Sequence, residues 1–538
     1  MFSAVPRNLR RIFVILTLAT AGMAALLGLL PAAGHDQLWF LMMARRWLGG
    51  AQLYGPEIFD SNPPAIVWLS ALPVMLARPL HVETTFAAKL LVILVESSAS
   101  LLSYRFFRYG QRSSPDSLPQ QDYIPAALLC AAMVLFYIVP ARDLGQRDQM
   151  LSFLVLPYLL AAAIAPSQCR LTLARYTAGV LAGVGICLKP HQSLIPIAVE
   201  LALLLTPRPK TDNRQSTTST FLRPEPVLIA LIGLAYLAAI HRLTPLYFTV
   251  ALPILRETYW AIGHLSPLAL AWEAVELCLL AALCIILFVI YKPAFPAIRL
   301  LLVAGSAATL AYALQGTGWY YQQLPAICFF GSALTLQLLD LAARRPLLPP
   351  NWSVAATAAL SLLALALTTH FTGYPFTRER AFAIKVPDPA FFSPLPSGTP
   401  VAILTTSVDA AMMPVERYRL TWAQRTNNLW MLPAILRTEA AHPLAHRLTP
   451  LTLARLEATQ QRWMVEDLER WHPQLVLVER CQDPAVHCQE LGDFDASHSG
   501  LLAFFLRDPA FAALWTRYTF AGARGPFDAY TLSQSSRF

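Results

Sequence analysis

"GHDQLWFLMMARRWLGGAQLYGPEIFDSNPPAIVWL", residues 34–69, follows an apolar segment and is too polar and too broken to be a second membrane span. His35-Asp36 opens it, Arg45-Arg46 and Gly49-Gly50 interrupt it, and Asn62-Pro63-Pro64 stops any helix before the next apolar run. Between these breaks, Gln37 to Gly49 reads as a short helix rich in Leu38, Trp39, Phe40, Leu41, Trp47 and Leu48, suited to a membrane interface, where Trp prefers to sit.

The composition around this stretch sets the solvent. The chain has 538 residues, 56% hydrophobic and only 14% charged, with a mean hydropathy of +0.48. That is far more apolar than a soluble domain. Its net charge of +9 comes from Lys and Arg scattered between apolar runs rather than gathered on one stripe, which speaks against nucleic acid and for topology signals. The expectation is a mostly α, polytopic membrane protein with about 11 spans of roughly 17–25 residues each. They are placed near 12–32, 86–107, 123–140, 150–165, 174–188, 191–206, 226–240, 267–290, 297–314, 321–340 and 352–370. The first reads as an uncleaved anchor, with a cleaved signal peptide as the alternative.

With the N-terminus in the cytoplasm, the inner segments carry Arg105, Arg108 and Arg112; Arg170 and Arg175; Arg208, Lys210, Arg214 and Arg223; Lys292 and Arg299; and Arg344 and Arg345. Every inner segment is then basic, as the charge rule for cytoplasmic loops requires. The agreement holds if Ala65–Ala77 does not cross the membrane, which makes it interfacial or re-entrant. Residues 1–370 form the membrane domain, including an outer loop at 33–85. Residues 371–538 read as a small α/β extracytoplasmic domain, from two strand-like runs, Val401–Thr405 and Leu475–Val478, and amphipathic stretches such as Leu451–Trp471. The Ser/Thr-rich loop 211–220 reads as a cytoplasmic linker.

Of eight cysteines, Cys130, Cys169, Cys187, Cys278, Cys284 and Cys328 lie in or beside spans and read as small apolar packers. Cys481 and Cys488 fall in the outer domain, where an oxidising compartment would let them close a disulfide loop. By spacing alone Asp36 reads as a helix N-cap.

An Asp just after the first span, then "ARRWLGGAQLY" (44–54), then a Pro-Pro-and-Trp segment (63–68), resembles the first outer loop of membrane glycosyltransferases with the GT-C fold, in particular the branch of protein mannosyltransferases and the lipid A aminoarabinose transferase. "ARDLGQRDQM" (141–150), "GICLKPHQS" (185–193) and "GTGWYYQQLPA" (316–326) follow in the same order, so the resemblance covers most of residues 12–340. It implies that Asp36 is the catalytic base, and that Asp148 helps arrange the site, in some members through a divalent metal such as Mg, Mn or Zn held by Asp36 and Asp148. Two departures stand out. Gln37 replaces the second acid of the usual pair, and Asn62 replaces a Lys before the Pro.

Transfer of a sugar from a polyprenyl phosphate needs a carboxylate to take the acceptor's proton and positive charge to meet the leaving phosphate. Candidate phosphate contacts on the outer face are Arg142, Arg147, Lys189, His191 and Arg256. If Lys189 contacts the donor phosphate, Lys189→Met should weaken donor use while leaving folding near normal; its second reading is snorkelling to the interface, to which unchanged donor use would return it. Arg142 and Arg147 have ion pairing with Asp143 or Asp148 as an alternative, and His191 a purely structural role. Tyr320 and Tyr321 line a lipid or sugar groove or belong to the aromatic belt. The expected partners are a polyprenyl-phosphate sugar donor, a glycan, lipid or protein acceptor and membrane lipids, in a bacterial-type inner membrane. The second class considered, a transporter or flippase of lipid-linked glycans, would show repeated halves and midplane charges; a non-catalytic glycan-binding relative is a third.

Overall fold

A computed structural model describes residues 22, 25–26, 29, 33–112, 123–140, 143–164, 172–206, 223–262, 265–293, 295–344, 387–439, 448–480 and 500–533. The apolar segments at 12–32 (largely) and 352–370, together with Arg142, Cys481 and Cys488, lie outside them. The chain divides into two compact units. One comprises 1–33, 75–238 and 265–377, the other 34–74, 239–264 and 378–538.

The first unit is helical. Four helices are long and apolar enough to cross a membrane: Thr84–Gln111, Pro224–Leu243 (whose last residues pass into the second unit), Pro296–Gln315 and Tyr320–Leu341. A fifth crossing is available if Pro267–Glu273 and Val275–Tyr291, bent by 81°, act as one. These apolar helices make the protein an integral membrane protein. Shorter helices, Arg147–Ala162, Thr172–Leu188 and Leu194–Leu204, pack among them. Arg147–Ala162 is buried on every side save Met150. Close approach depends on glycine at two places in "AGVLAGVG". A Cβ on Gly179 would stand 2.9 Å from the Glu225 Cα, and one on Gly183 would meet Ile232 at 2.8 Å.

Two of the arginines counted as loop charges turn out to be packed inside this unit. Arg175, 4% exposed, pairs with Glu225 at 2.5 Å, and Arg223 pairs with Glu200, which also accepts from the Tyr158 hydroxyl. Charges so buried are kept by their partners rather than by water.

The second unit carries a five-stranded sheet. Its strands are β1 (Pro400–Leu404), β2 (Thr421–Trp422), β3 (Leu475–Glu479), β4 (Tyr518–Arg524) and β5 (Phe527–Leu532), in the order β2-β1-β3-β5-β4. β1 is parallel to β2 and β3, whereas β5 is antiparallel to β3 and β4. Parallel strands need covering on both faces, and β3 is buried along its whole length. The crossover to β3 includes the helix Pro450–Trp471, which buries Leu456, Gln460, Trp463, Met464 and Leu468 at helical spacing and is capped by the Thr449 hydroxyl accepting from the Thr452 N–H.

The opening stretch belongs to this unit. His35–Leu48 is a helix, and its apolar face is covered by protein: Trp39 and Phe40 are each 1% exposed. Arg46 fastens it to the sheet domain, donating to the carbonyls of Glu57 (2.7 Å), Gln424 (2.8 Å) and Trp422, with its guanidinium 4.7 Å from the Trp471 ring centroid. Burial draws the Arg46 pKa down to about 10, so the group stays charged at neutral pH. Phe59 inserts between Trp430 and Trp463, and its N–H donates to the Arg425 carbonyl at 2.7 Å. Residues 34–74 are therefore an integral part of a domain whose sheet lies more than 300 residues further along the chain.

Candidate functional site

In the helical unit, three chain breaks place polar side chains together. Gly145, at φ +88°, turns the chain into the helix Arg147–Ala162, where Gln146 at the cap accepts from the Asp148 N–H at 3.3 Å. Asp148 thus sits in a first helical turn, where the helix dipole favours a carboxylate. Pro190 ends the helix Thr172–Leu188 because a residue before proline is pushed out of the helical region. That leaves Lys189 at φ −141°, heading the short turn Pro190–Ser193. A second short turn, Tyr320–Gln323, precedes Leu324–Arg344.

These breaks bring Asp148, Lys189 and Tyr321 into contact. Lys189 Nζ lies 3.0 Å from Asp148 Oδ2 and 5.4 Å from the centre of the Tyr321 ring. Asp148 is fully buried and Lys189 is 7% exposed. A snorkelling lysine would hold its ammonium in water; this one holds it against a carboxylate and an aromatic face, both within the protein. The Tyr320 hydroxyl donates to the Val139 carbonyl at 3.2 Å, fixing the turn that carries Tyr321. His191 is exposed on the same link as Lys189, and Arg147 is buried beside Asp148 in sequence.

Two residues that the sequence reading passed over complete this arrangement. Gln192 is fully buried, and among the described residues neither its side-chain oxygen nor its nitrogen has a hydrogen-bond partner. Buried amides are ordinarily satisfied, so this one has hydrogen-bonding capacity to spare. Glu96, fully buried in the helix Thr84–Arg112, accepts from Gln149 Nε2 at 3.0 Å. Gln149 also donates to the Phe136 carbonyl and accepts from the Gly145 N–H, so Glu96 steadies the turn that leads to Asp148. Its signal was present: an ionisable residue in an apolar span.

In the second unit, the cap position of the helix His35–Leu48 is Gly34, and Asp36 is its second residue. The N-cap reading of Asp36 is therefore corrected: the helix starts two residues earlier than the spacing suggested. Asp36 Oδ1 lies 3.2 Å from His35 Nε2, with the carboxylate side chain 16% exposed. Asp60 organises the Asn62-Pro63-Pro64 turn, accepting from Trp39 Nε1 at 3.1 Å and from the Asn62 N–H at 3.0 Å. Arg256 is exposed on the helix Leu252–Thr258 of this unit.

A resident divalent metal needs several converging ligands. Among the described residues no group of three His, Cys, Asp or Glu side chains is so placed, and the Asp148 carboxylate already faces the Lys189 ammonium. These residues do not fit a metal centre, and no chemistry is assigned to one.

No protein-family model matches the chain, and no curated protein matches it. Solved structures do. ArnT from Cupriavidus metallidurans, bound to undecaprenyl phosphate, is 12% identical with a TM-score of 0.51, over 99% of this chain and 99% of that one. A looser likeness, 12% identity and a TM-score of 0.42 over 97% of this chain and 74% of the other, is to the archaeal oligosaccharyltransferase AglB from Archaeoglobus fulgidus in complex with an inhibitory peptide and a dolichol-phosphate. The chain has the GT-C fold.

Proposed function

We propose that the protein is a membrane glycosyltransferase that moves a sugar from a polyprenyl-phosphate donor to an acceptor hydroxyl on the outer face of the membrane. The observation that carries this reading is the buried Asp148–Lys189–Tyr321 cluster beside the unsatisfied Gln192, in a chain sharing its fold with a protein bound to undecaprenyl phosphate. An ammonium held in low dielectric, with an aromatic ring and a free amide at hand, suits a phosphate ester bearing a sugar.

In the proposed reaction the acceptor oxygen attacks the anomeric carbon while the bond from that carbon to the phosphate oxygen breaks. Asp36 takes the acceptor's proton, and the bonding electrons leave with the phosphate. Lys189 meets the charge that develops on it, with Arg147 and His191 as further contacts. Tyr320 and Tyr321 offer flat surfaces to the sugar or the first isoprene units. The comparisons lend no support to the transporter alternative.

The test is to incubate the purified full chain with a panel of polyprenyl-phosphate sugars and follow donor loss by mass spectrometry, with Asp36→Asn in parallel. Consumption of one donor by the wild type and not by the variant is expected. Equal consumption by both, or turnover of no donor in the presence of a membrane-extract acceptor pool, overturns the proposal.

A further inference from the structure

A groove runs between the helices Leu194–Leu204 and Pro296–Gln315, with a volume of about 640 Å³ and one side open. Ile197, Leu201 and Leu310 line it and are 54%, 53% and 52% exposed, an apolar trough in an integral membrane protein. On the wall formed by Pro296–Gln315, Arg299, Val303, Ser306 and Leu310 recur at helical spacing, so they share one face along roughly 16 Å of helix. That is the length of about a dozen methylenes of an extended chain, at the rise of a helix over 11 positions.

Arg299 stands at one end of this trough. A guanidinium carries five N–H donors and cannot discharge. Among the described residues Arg299 makes a single hydrogen bond, from Nη2 to the Ala202 carbonyl, at a long 3.5 Å. It also lies in the first turn of its helix, where unpaired backbone amides add positive potential. A cation with nearly all its donors unused among the described residues, at the head of a hydrocarbon-lined trough, calls for an anion that carries a hydrocarbon chain. Soluble phosphate satisfies the first requirement and not the second.

The position separates this feature from the donor site proposed above. Lys189 precedes the start of Leu194–Leu204, whereas Ala202, which accepts from Arg299, lies toward its far end, about 12 Å beyond Leu194 along the helix. We infer that the trough is a binding site for an anionic phospholipid, its phosphate against Arg299 and one acyl chain along Ile197, Leu201, Val303 and Leu310. The inference does not depend on the transferase reading.

The full chain, purified and delipidated in detergent, is offered phosphatidylglycerol, phosphatidylcholine of the same chains, or undecaprenyl phosphate, with bound lipid read by native mass spectrometry and thermal stability in parallel. Phosphatidylglycerol is expected to be retained and to raise the melting temperature by several degrees, and phosphatidylcholine to bind more weakly. Arg299→Gln should lower phosphatidylglycerol retention at least ~10-fold, as expected for loss of a charge-assisted phosphate contact. Ser306→Phe, which fills the trough and leaves Arg299 intact, should lower it as well. Equal retention of phosphatidylglycerol by wild type and Arg299→Gln overturns the inference. So does retention of undecaprenyl phosphate alone, or of no lipid, by the wild type.

Discussion

The Asp148–Lys189 pair is buried on both sides, with exposures of 0% and 7%, at a separation of 3.0 Å. Removing one partner strands the other charge, which typically costs about 3–5 kcal/mol. Against a total stability of roughly 5–15 kcal/mol, that is a large fraction. Lys189→Met leaves the Asp148 carboxylate without a countercharge and should fall at the upper end. Asp148→Asn leaves an ammonium that keeps the Tyr321 ring at 5.4 Å, a contact worth about 0.5–2 kcal/mol, and should fall lower. The double variant Asp148→Asn/Lys189→Met removes both charges in nearly the same volume and should recover most of the loss, a coupling of about 2 kcal/mol or more. Thermal unfolding in detergent reads the stability, and consumption of a polyprenyl-phosphate sugar reads the activity. We expect the double variant to regain stability and to remain inactive, because the charge proposed to meet the leaving phosphate is gone. A double variant that regains both would make the pair purely structural. A Lys189→Met protein as stable and active as wild type would restore the snorkelling reading, which is what the sequence alone left open.

Four further outcomes are expected. Asp36→Asn should fold normally and transfer sugar at least ~10²-fold more slowly, the lower end of a general base's contribution; since Gly34 holds the cap, Asp36→Ala should match it in melting temperature, and a lower one would point to a structural role. Gln192→Leu replaces an unsatisfied buried amide with an apolar group, so its melting temperature should hold or rise while donor KM increases; a marked drop in stability would mean that the amide has a structural partner. Arg46→Met should lose about 3–5 kcal/mol by leaving three carbonyls unpaired, and Arg46→Lys should recover little of it, as an ammonium lacks the planar fork; the melting temperatures of the two variants check this. Reporter fusions at Ser114 and Ser216 should be active as cytoplasmic markers, and thiol labelling without reductant should leave Cys481 and Cys488 unmodified; outer-face activity at both fusions would overturn the topology.

Much of the fold was legible in the sequence because its signals are local. Apolar runs such as those covering Thr84–Gln111, Pro296–Gln315 and Tyr320–Leu341 announce themselves by length alone. β1 and β3 were readable from short β-branched runs. Lys189 was singled out as an ionisable residue at a span end, and Asp148 through the family resemblance.

What the sequence could not supply was partnership. Nothing local to Lys189 says that its countercharge is Asp148, or that Gln192 is buried with an unused amide. Arg175 and Arg223 look like other loop arginines until Glu225 and Glu200 are packed against them. The polar interruption at residues 34–69 reads as an isolated loop. Only the tertiary structure assigns it to the sheet domain, through Arg46 contacts that reach 376 and 378 positions along the chain. Periodicity and hydropathy describe a segment's preference for water, lipid or a bend, and these act over a few residues. A buried charge finds its partner only when distant segments are packed to the exclusion of water, and that choice belongs to the whole chain.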